Sequence, residues 1–287
     1  MCKVVVLGTL GMAGHIIAEY LDSIGEYEVS GVARRPGRYV NEIIDALDFS
    51  LLEAFLTSKS PDVVINCIGL LVSSSANQIT NAILINSYLP QFIGELGDKL
   101  GFKCIQVSTD CVFSGKDGGY SENSFRDGDD NYARTKALGE LFSEKHLTIR
   151  TSIIGPELKS DGTGLMGWFF SQNGEVNGYT KAYWSGVTTL ELAKEIHRII
   201  QKPVAGLVHV CPDEKVSKYE LLRLINEIWA RNCHVIPYDA YAIDKSLIRT
   251  REDYCYLPSD YRTMLFDLKN WTDSHPDYYL HYNLEHV

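Results

Sequence analysis

The 287-residue chain has little of what marks several large protein classes. No stretch approaches the about 20 apolar residues of a membrane span, and the apolar run at residues 3–7 is too short for a secretory leader. Positive charge is scarce: 27 Lys and Arg stand against 37 Asp and Glu, a net charge of −10, with no basic stripe anywhere. That balance argues against a nucleic-acid partner. The seven cysteines form no Cys-x-x-Cys pair. An odd count at irregular spacing suits reduced thiols in the cytoplasm. There is no internal repeat, low-complexity tract or long linker. The remaining composition, 45% hydrophobic and 22% charged, suits a globular chain of one or two domains.

Short β-branched runs alternate with helical periodicity over the first two-thirds. Strands are expected at 4–7, 29–33, 63–67, 102–108, 147–152 and 206–210. Helices are expected at 13–24, 51–58, 79–101, 132–145 and 189–201. This rhythm argues an α/β fold built on a doubly wound parallel sheet. Residues 155–183 are Gly-rich and aromatic and read as a loop-rich insertion. Beyond residue 211 an amphipathic helix at 217–230, a strand at 235–237 and a last element at 264–270 are expected. The insertion and the C-terminal part form a smaller α/β substrate lobe. The expected division is 1–155 plus about 186–212 for the sheet domain, and about 156–185 plus 213–287 for the lobe.

The segment Leu7-Gly8-Thr9-Leu10-Gly11-Met12-Ala13-Gly14 lies between the first strand and the first helix. Glycines there allow a tight turn and let a pyrophosphate approach free N–H groups at the helix N-terminus. Gly8, Leu10, Gly11, Met12 and Gly14 are therefore dinucleotide candidates. The second strand ends Ala33-Arg34-Arg35, where an NAD-preferring site carries a carboxylate. Two guanidiniums suit a 2′-phosphate, so NADP(H) is favoured over NAD(H); the alternative is a solvated turn. Asp48 and Phe49 are placed to meet an adenine edge, or else Asp48 caps a helix.

Tyr132 and Lys136 stand four residues apart, on one face of a helix. An ammonium beside a phenol favours the phenolate and would lower the tyrosine pKa. The preceding strand ends Ser108-Thr109-Asp110-Cys111-Val112-Phe113, offering a hydroxyl for the same substrate oxygen. Together these are the equipment of carbonyl reduction.

With these motifs in hand, the chain resembles the extended short-chain dehydrogenase/reductase family, a Rossmann fold, and within it the dTDP-4-dehydrorhamnose reductases. Their S-T-D-Y-V-F-x-G and Y-G-x-T-K-x-x-G-E patterns match over residues 1–155, and the match thins beyond. The resemblance implies a nucleotide-sugar substrate, a homodimer, and catalysis by Thr109, Tyr132 and Lys136. In it Tyr132 delivers the proton, and Lys136 holds the ribose. It also implies that Cys67, Ile68 and Gly69, after Asn66, lie beside the nicotinamide ribose, and that Asn86, paired with Pro90, belongs to the cofactor site. Asp110 and Cys111 would face the sugar, and Tyr183 and Trp184 would stack on the substrate or pack between lobes. Cys111 stands where the reductases have Tyr. Fucose synthases carry a working cysteine there, so an epimerase or dehydratase is one alternative. A non-catalytic NADP-binding regulatory subunit is the other. No metal ligands can be placed.

Overall fold

The protein is described by a computed structural model that covers residues 1–282. Strand β1 (Cys2–Leu7) leads into α1 (Met12–Ile24), β2 (Tyr27–Ala33), the two-residue β3 (Glu42–Ile43), α2 (Phe49–Lys59) and β4 (Val63–Asn66). Two short helices, α3 (Val72–Asn77) and α4 (Ile79–Ala82), pass through a π turn (Ile83–Tyr88) into α5 (Leu89–Leu100) and then β5 (Lys103–Val107). Next come α6 (Asn131–Leu138), β6 (Leu147–Arg150), β7 (Ile153–Ile154), α7 (Leu165–Phe170), β8 (Gly174–Trp184) and β9 (Val187–Thr188). The chain closes with α8 (Thr189–Gln201), β10 (Gly206–His209), β11 (Val216–Ser217), α9 (Lys218–Ile228), β12 (Cys233–Asp244) and α10 (Tyr261–Ser274).

The central sheet has seven parallel strands in the order β10-β6-β5-β4-β1-β2-β3. The doubly wound α/β expectation holds. Alternation along β1 sorts its side chains between two layers. Val4 and Val6 pack with Ile16, Ile17, Leu21 and Ile196 on one face. Val5 and Leu7 pack with Leu52, Leu56 and Ile93 on the other. Each such side chain contributes about 1.5–3 kcal/mol on burial. The chain runs outward from β1 to β3, then returns to start β4 on the other side of β1. That reversal opens a crevice at the carboxyl ends of β1 and β4, where folds of this kind bind ligands.

Three elements differ from expectation. The helix expected over 79–101 is continuous in direction but contains the π turn, in which Leu89 N–H reaches back to the Leu84 carbonyl. Pro90 has no N–H to give, so the wider turn before it loses no hydrogen bond. The helix expected over 132–145 stops at Leu138. A Cβ on Gly139 would collide with the Asn86 carbonyl, and Glu140 turns inward. The loop expected over 155–183 contains β8, which pairs in parallel with β12 from Gly174↔Cys233 to Tyr183↔Asp244. Its alternating exposed and buried residues carry polar and aromatic groups on the open face. The pairing is non-local, which hid β8 and all of β12 but the 235–237 stretch. Strand β11 completes this second sheet, antiparallel to β8.

Glu140 turns inward toward a guanidinium. Arg150, only 1% exposed, grips it with two bonds, Nε to Oε1 at 2.6 Å and Nη2 to Oε2 at 2.7 Å. Ser108 Oγ donates to the same carboxylate at 2.9 Å, and Arg126 adds an ion pair at 3.1 Å. Arg150 also donates to the Glu122 carbonyl and lies over the Phe113 ring. Replacing Arg150 with Met leaves Glu140 buried without its main partner. The expected loss is about 3–5 kcal/mol in urea unfolding; a loss below roughly 1 kcal/mol would mean that Ser108 and Arg126 satisfy the carboxylate alone.

Candidate active site

The glycine turn is built for close approach. Gly8 has φ +87°, and its N–H donates to the Val32 carbonyl at 2.9 Å. A Cβ on Gly14 would strike the Gly8 carbonyl, so this glycine seats α1 against the strand end. Leu10 packs under Gly37, and Met12 reaches Gly164. The N-terminus of α1 has no side-chain cap and no acidic residue in its first turn. Free N–H groups facing an open crevice fit a dinucleotide pyrophosphate.

Arg34 and Arg35 follow β2 and are exposed; among the described residues neither enters an ion pair, whereas Arg38 is paired with Glu19 at 3.0 Å. Asp48 caps α2, its side chain accepting from Leu51 N–H at 3.0 Å. Phe49 sits edge-on to Tyr88 and Phe92, with centroids 4.9 and 5.1 Å away.

Beyond β4 the backbone passes under Lys136. Cys67 N–H joins the Leu7 carbonyl at 3.1 Å, and Ile68 N–H joins Asn66 Oδ1 at 3.1 Å. Burial pushes the Cys67 thiol up to about 12. A Cβ on Gly69 would lie 3.4 Å from Asn86 Oδ1 and 3.8 Å from Lys136 Nζ. The bare glycine therefore keeps a cradle open. Asn86 is fully committed: Oδ1 accepts from Leu70 N–H at 2.8 Å, and Nδ2 donates to the Leu70 carbonyl at 3.1 Å and Thr135 Oγ1 at 3.2 Å. In this structure it clamps the loop after β4 onto α6.

Asp130 caps α6, accepting from Ala133 N–H at 2.7 Å, and presents Tyr132 in the first turn. Lys136, 6% exposed, donates to the Val107 carbonyl at 2.9 Å. Burial lowers its pKa to about 8, with Glu140 and Cys67 opposing. The expected fall in the Tyr132 pKa does not occur. Burial, then Cys111, pushes that phenol up, and the Thr109 hydroxyl pulls it back. The physical reason is that the ammonium is tied to the β5 carbonyl while the phenol is packed among a thiol and a carboxyl. Thr109 Oγ1 donates to Asp110 Oδ1 at 3.2 Å and accepts from Cys111 N–H at 3.1 Å. Ser108, the competing hydroxyl, is spent on Glu140. Burial raises the Asp110 carboxyl, against pulls from Lys218 and Lys245. Burial, then Asp110, pushes the Cys111 thiol up to about 12.

From the second sheet, Tyr183 is exposed and Trp184 is buried. Trp184 packs on Tyr261, with ring centroids 5.8 Å apart, and Gly186 closes its other side. Of the two alternatives for Trp184, stacking on substrate or packing, its place in the core fits packing, because strand alternation turns it inward. Two lysines escaped notice in the sequence. Lys218 Nζ lies 4.8 Å from the Trp184 ring centroid, and both Lys218 and Lys245 act on Asp110 and Cys111. Nothing local signals this; only the β11–β8 and 244–248 contacts bring them in.

Among the described residues no helix is long and apolar enough to cross a membrane. Comparison with known proteins gives one family: the sequence profile described as RmlD substrate binding domain matches residues 2–283. The chain is 25% identical over 233 residues to the spore coat polysaccharide biosynthesis protein SpsK of Bacillus subtilis, covering 79% of each. It is 28% identical over 166 residues to dTDP-4-dehydrorhamnose reductase of Aggregatibacter actinomycetemcomitans, covering 53% of this chain and 51% of that one. Its fold is similar to dTDP-4-dehydrorhamnose reductase of Bacillus anthracis in complex with NADP. There the TM-score is 0.81 and the identity 20%, over 95% of this chain and all of the other.

A thiol with a pKa near 12 is almost wholly protonated at pH 8, so Cys111 should resist alkylation. Iodoacetamide labelling followed by mass spectrometry should modify the exposed Cys255 at least about tenfold faster. Equal rates would return Cys111 to consideration as a base.

Proposed function

The chain belongs to the RmlD substrate binding domain family, and on that premise we propose that it reduces the 4-keto group of a nucleotide-linked 6-deoxy sugar with NADPH, in nucleotide-sugar biosynthesis. The observation that carries the reading is the half-buried Tyr132 phenol beside the Thr109 hydroxyl, with Lys136 one helical turn further on. Reduction needs a donor that still holds its proton at neutral pH. A phenol raised by burial does, until charge develops next to it.

Bound nicotinamide supplies hydride to the carbonyl carbon. Tyr132 gives its proton to the carbonyl oxygen, and Thr109 swings its hydroxyl from Asp110 to the same oxygen. Lys136 keeps one donor on Val107 and has two left for ribose hydroxyls. The N-terminus of α1 receives the pyrophosphate, and Arg34 and Arg35 receive the 2′-phosphate; that the Bacillus anthracis relative was solved with NADP supports this choice of cofactor. Asp48 and Phe49 border the adenine. On this reading residues 1–155 with about 186–212 hold the cofactor, and the remainder holds the sugar nucleotide. The high Cys111 pKa disfavours epimerisation through that thiol.

Mixing the protein with NADPH and dTDP-4-keto-6-deoxy sugars should consume NADPH; tight NADPH binding without oxidation across several such substrates would sink the enzyme reading. Tyr132→Phe should lower kcat by at least about 100-fold with NADPH affinity little changed. Full activity in that variant would remove the proton-donor role. Arg34→Ala should weaken NADPH by about tenfold or more and NADH hardly at all. An unchanged preference would take Arg34 out of the site.

A further inference from the structure

The segment that follows α10, two short 3₁₀ turns at Pro276–Tyr278 and Leu280–Tyr282, is fastened to the helix that opens the candidate cofactor site. Tyr278 Oη donates to Glu19 Oε2 at 2.6 Å. Tyr279, 2% exposed, meets the buried His15 edge-on, with its Oη 2.8 Å from His15 Nε2. The Tyr282 hydroxyl accepts from Glu157 N–H at 2.8 Å, and Glu157 Oε2 accepts from Gly164 N–H at 2.8 Å. The Met12 side chain lies against Gly164. The segment therefore reaches the glycine turn by two routes, one through His15 and one through Met12.

The partners assign the protons in the His15 route. Nδ1 lies 2.8 Å from the Gly11 carbonyl, which can only accept, so Nδ1 carries a hydrogen. Burial lowers the His15 pKa to about 4, so the ring is neutral, Nε2 is bare, and Tyr279 donates to it. Burial raises the Tyr279 phenol, which keeps that proton. The Gly11 carbonyl also accepts from His15 N–H at 3.2 Å, while Gly11 N–H closes on the Gly8 carbonyl at 2.9 Å. The peptide between Gly11 and Met12 is thus held by its oxygen. A trans peptide turns the Met12 N–H the opposite way, out of the first turn of α1, where N–H groups have no helical acceptor. Little ordering is left to do when an anion arrives. An apolar side chain would fill the same space without two polar groups to satisfy. What the His15–Tyr279 pair adds is a fixed direction for the Gly11 carbonyl.

We propose that His15 and Tyr279 are positioning residues for the dinucleotide: a relay from the Tyr279 hydroxyl through the imidazole holds the Gly11–Met12 peptide in the orientation that receives a pyrophosphate. The inference rests on the cofactor reading above and extends it to two buried residues behind the turn, 264 positions apart in the sequence.

The test is isothermal titration calorimetry of the full chain with NADP and with adenosine 2′-monophosphate, which has the adenine and the 2′-phosphate but no pyrophosphate. Tyr279→Phe removes one hydroxyl and keeps the ring. It should weaken NADP by about fivefold or more and leave adenosine 2′-monophosphate unchanged. His15→Leu should weaken NADP at least as much, and the double variant no more than His15→Leu alone, because the hydroxyl acts only through the imidazole. A general loosening of the fold would weaken both ligands together, and independent roles would multiply in the double variant. Either result, or wild-type NADP affinity in both single variants when thermal melting shows them folded, overturns the relay and leaves the functional reading standing. NADP binding that depends on Tyr279 in this way, without turnover of any keto-sugar nucleotide, upholds the relay and sinks the reductase reading. If the wild-type protein does not bind NADP, both fall together.

Discussion

The buried pair between Arg150 and Glu140 is the constraint on which the placement of Tyr132 and Lys136 rests. A guanidinium offers donors in a planar fork, and here that fork meets a carboxylate side-on in a dry setting. Breaking such a pair is far worse than never having it, because one charge is left buried. Glu140 is thereby fixed in space, and with it the end of α6, the Ser108 hydroxyl and the turn that follows. The helix that carries Tyr132 and Lys136 cannot slide along β5 without tearing this contact. Gly139 enforces the same register from the other side, since the Asn86 carbonyl occupies the space a side chain would need.

Local motifs were legible in the sequence; partnerships across the fold were not. The glycine turn could be read because its geometry depends on neighbours within one strand and one helix. Tyr132 and Lys136 could be read for the same reason. The consequence drawn from their spacing was still wrong in sign for the free protein. Sequence distance puts an ammonium near a phenol, but the Val107 carbonyl claims the ammonium, and burial beside Cys111 and Asp110 governs the phenol. Asn86 was legible as a motif residue, while its task of holding Leu70 to α6 was not. Lys218 was invisible, being an ordinary residue in an amphipathic helix until β11 docks against β8.

Electrostatics divide the crevice into two parts. One side, at the ends of β1 and β2, offers exposed guanidiniums and the uncapped N-terminus of α1. The other side offers a thiol and a phenol that burial pushes upward, so that they keep their protons at neutral pH, beside a carboxyl that burial also raises. Neutral donors suit the moment when an oxygen gains charge, because they move toward the anion without first surrendering another. Lys136 spans the two parts. Its pKa, lowered to about 8, still leaves it mostly charged at neutral pH.

The long pairing of β8 with β12 has a consequence for how the chain is made. Strand β8 leaves the ribosome well before β12 exists to cover its edge, since their first paired residues are Gly174 and Cys233. A growing chain with a naked strand edge invites sticking to its neighbours. Glu175 and Lys181 lie on the exposed face of β8, and charges there are of the kind that discourage such sticking. The sequence of β8 thus answers to its wait for β12 as well as to its finished place in the sheet.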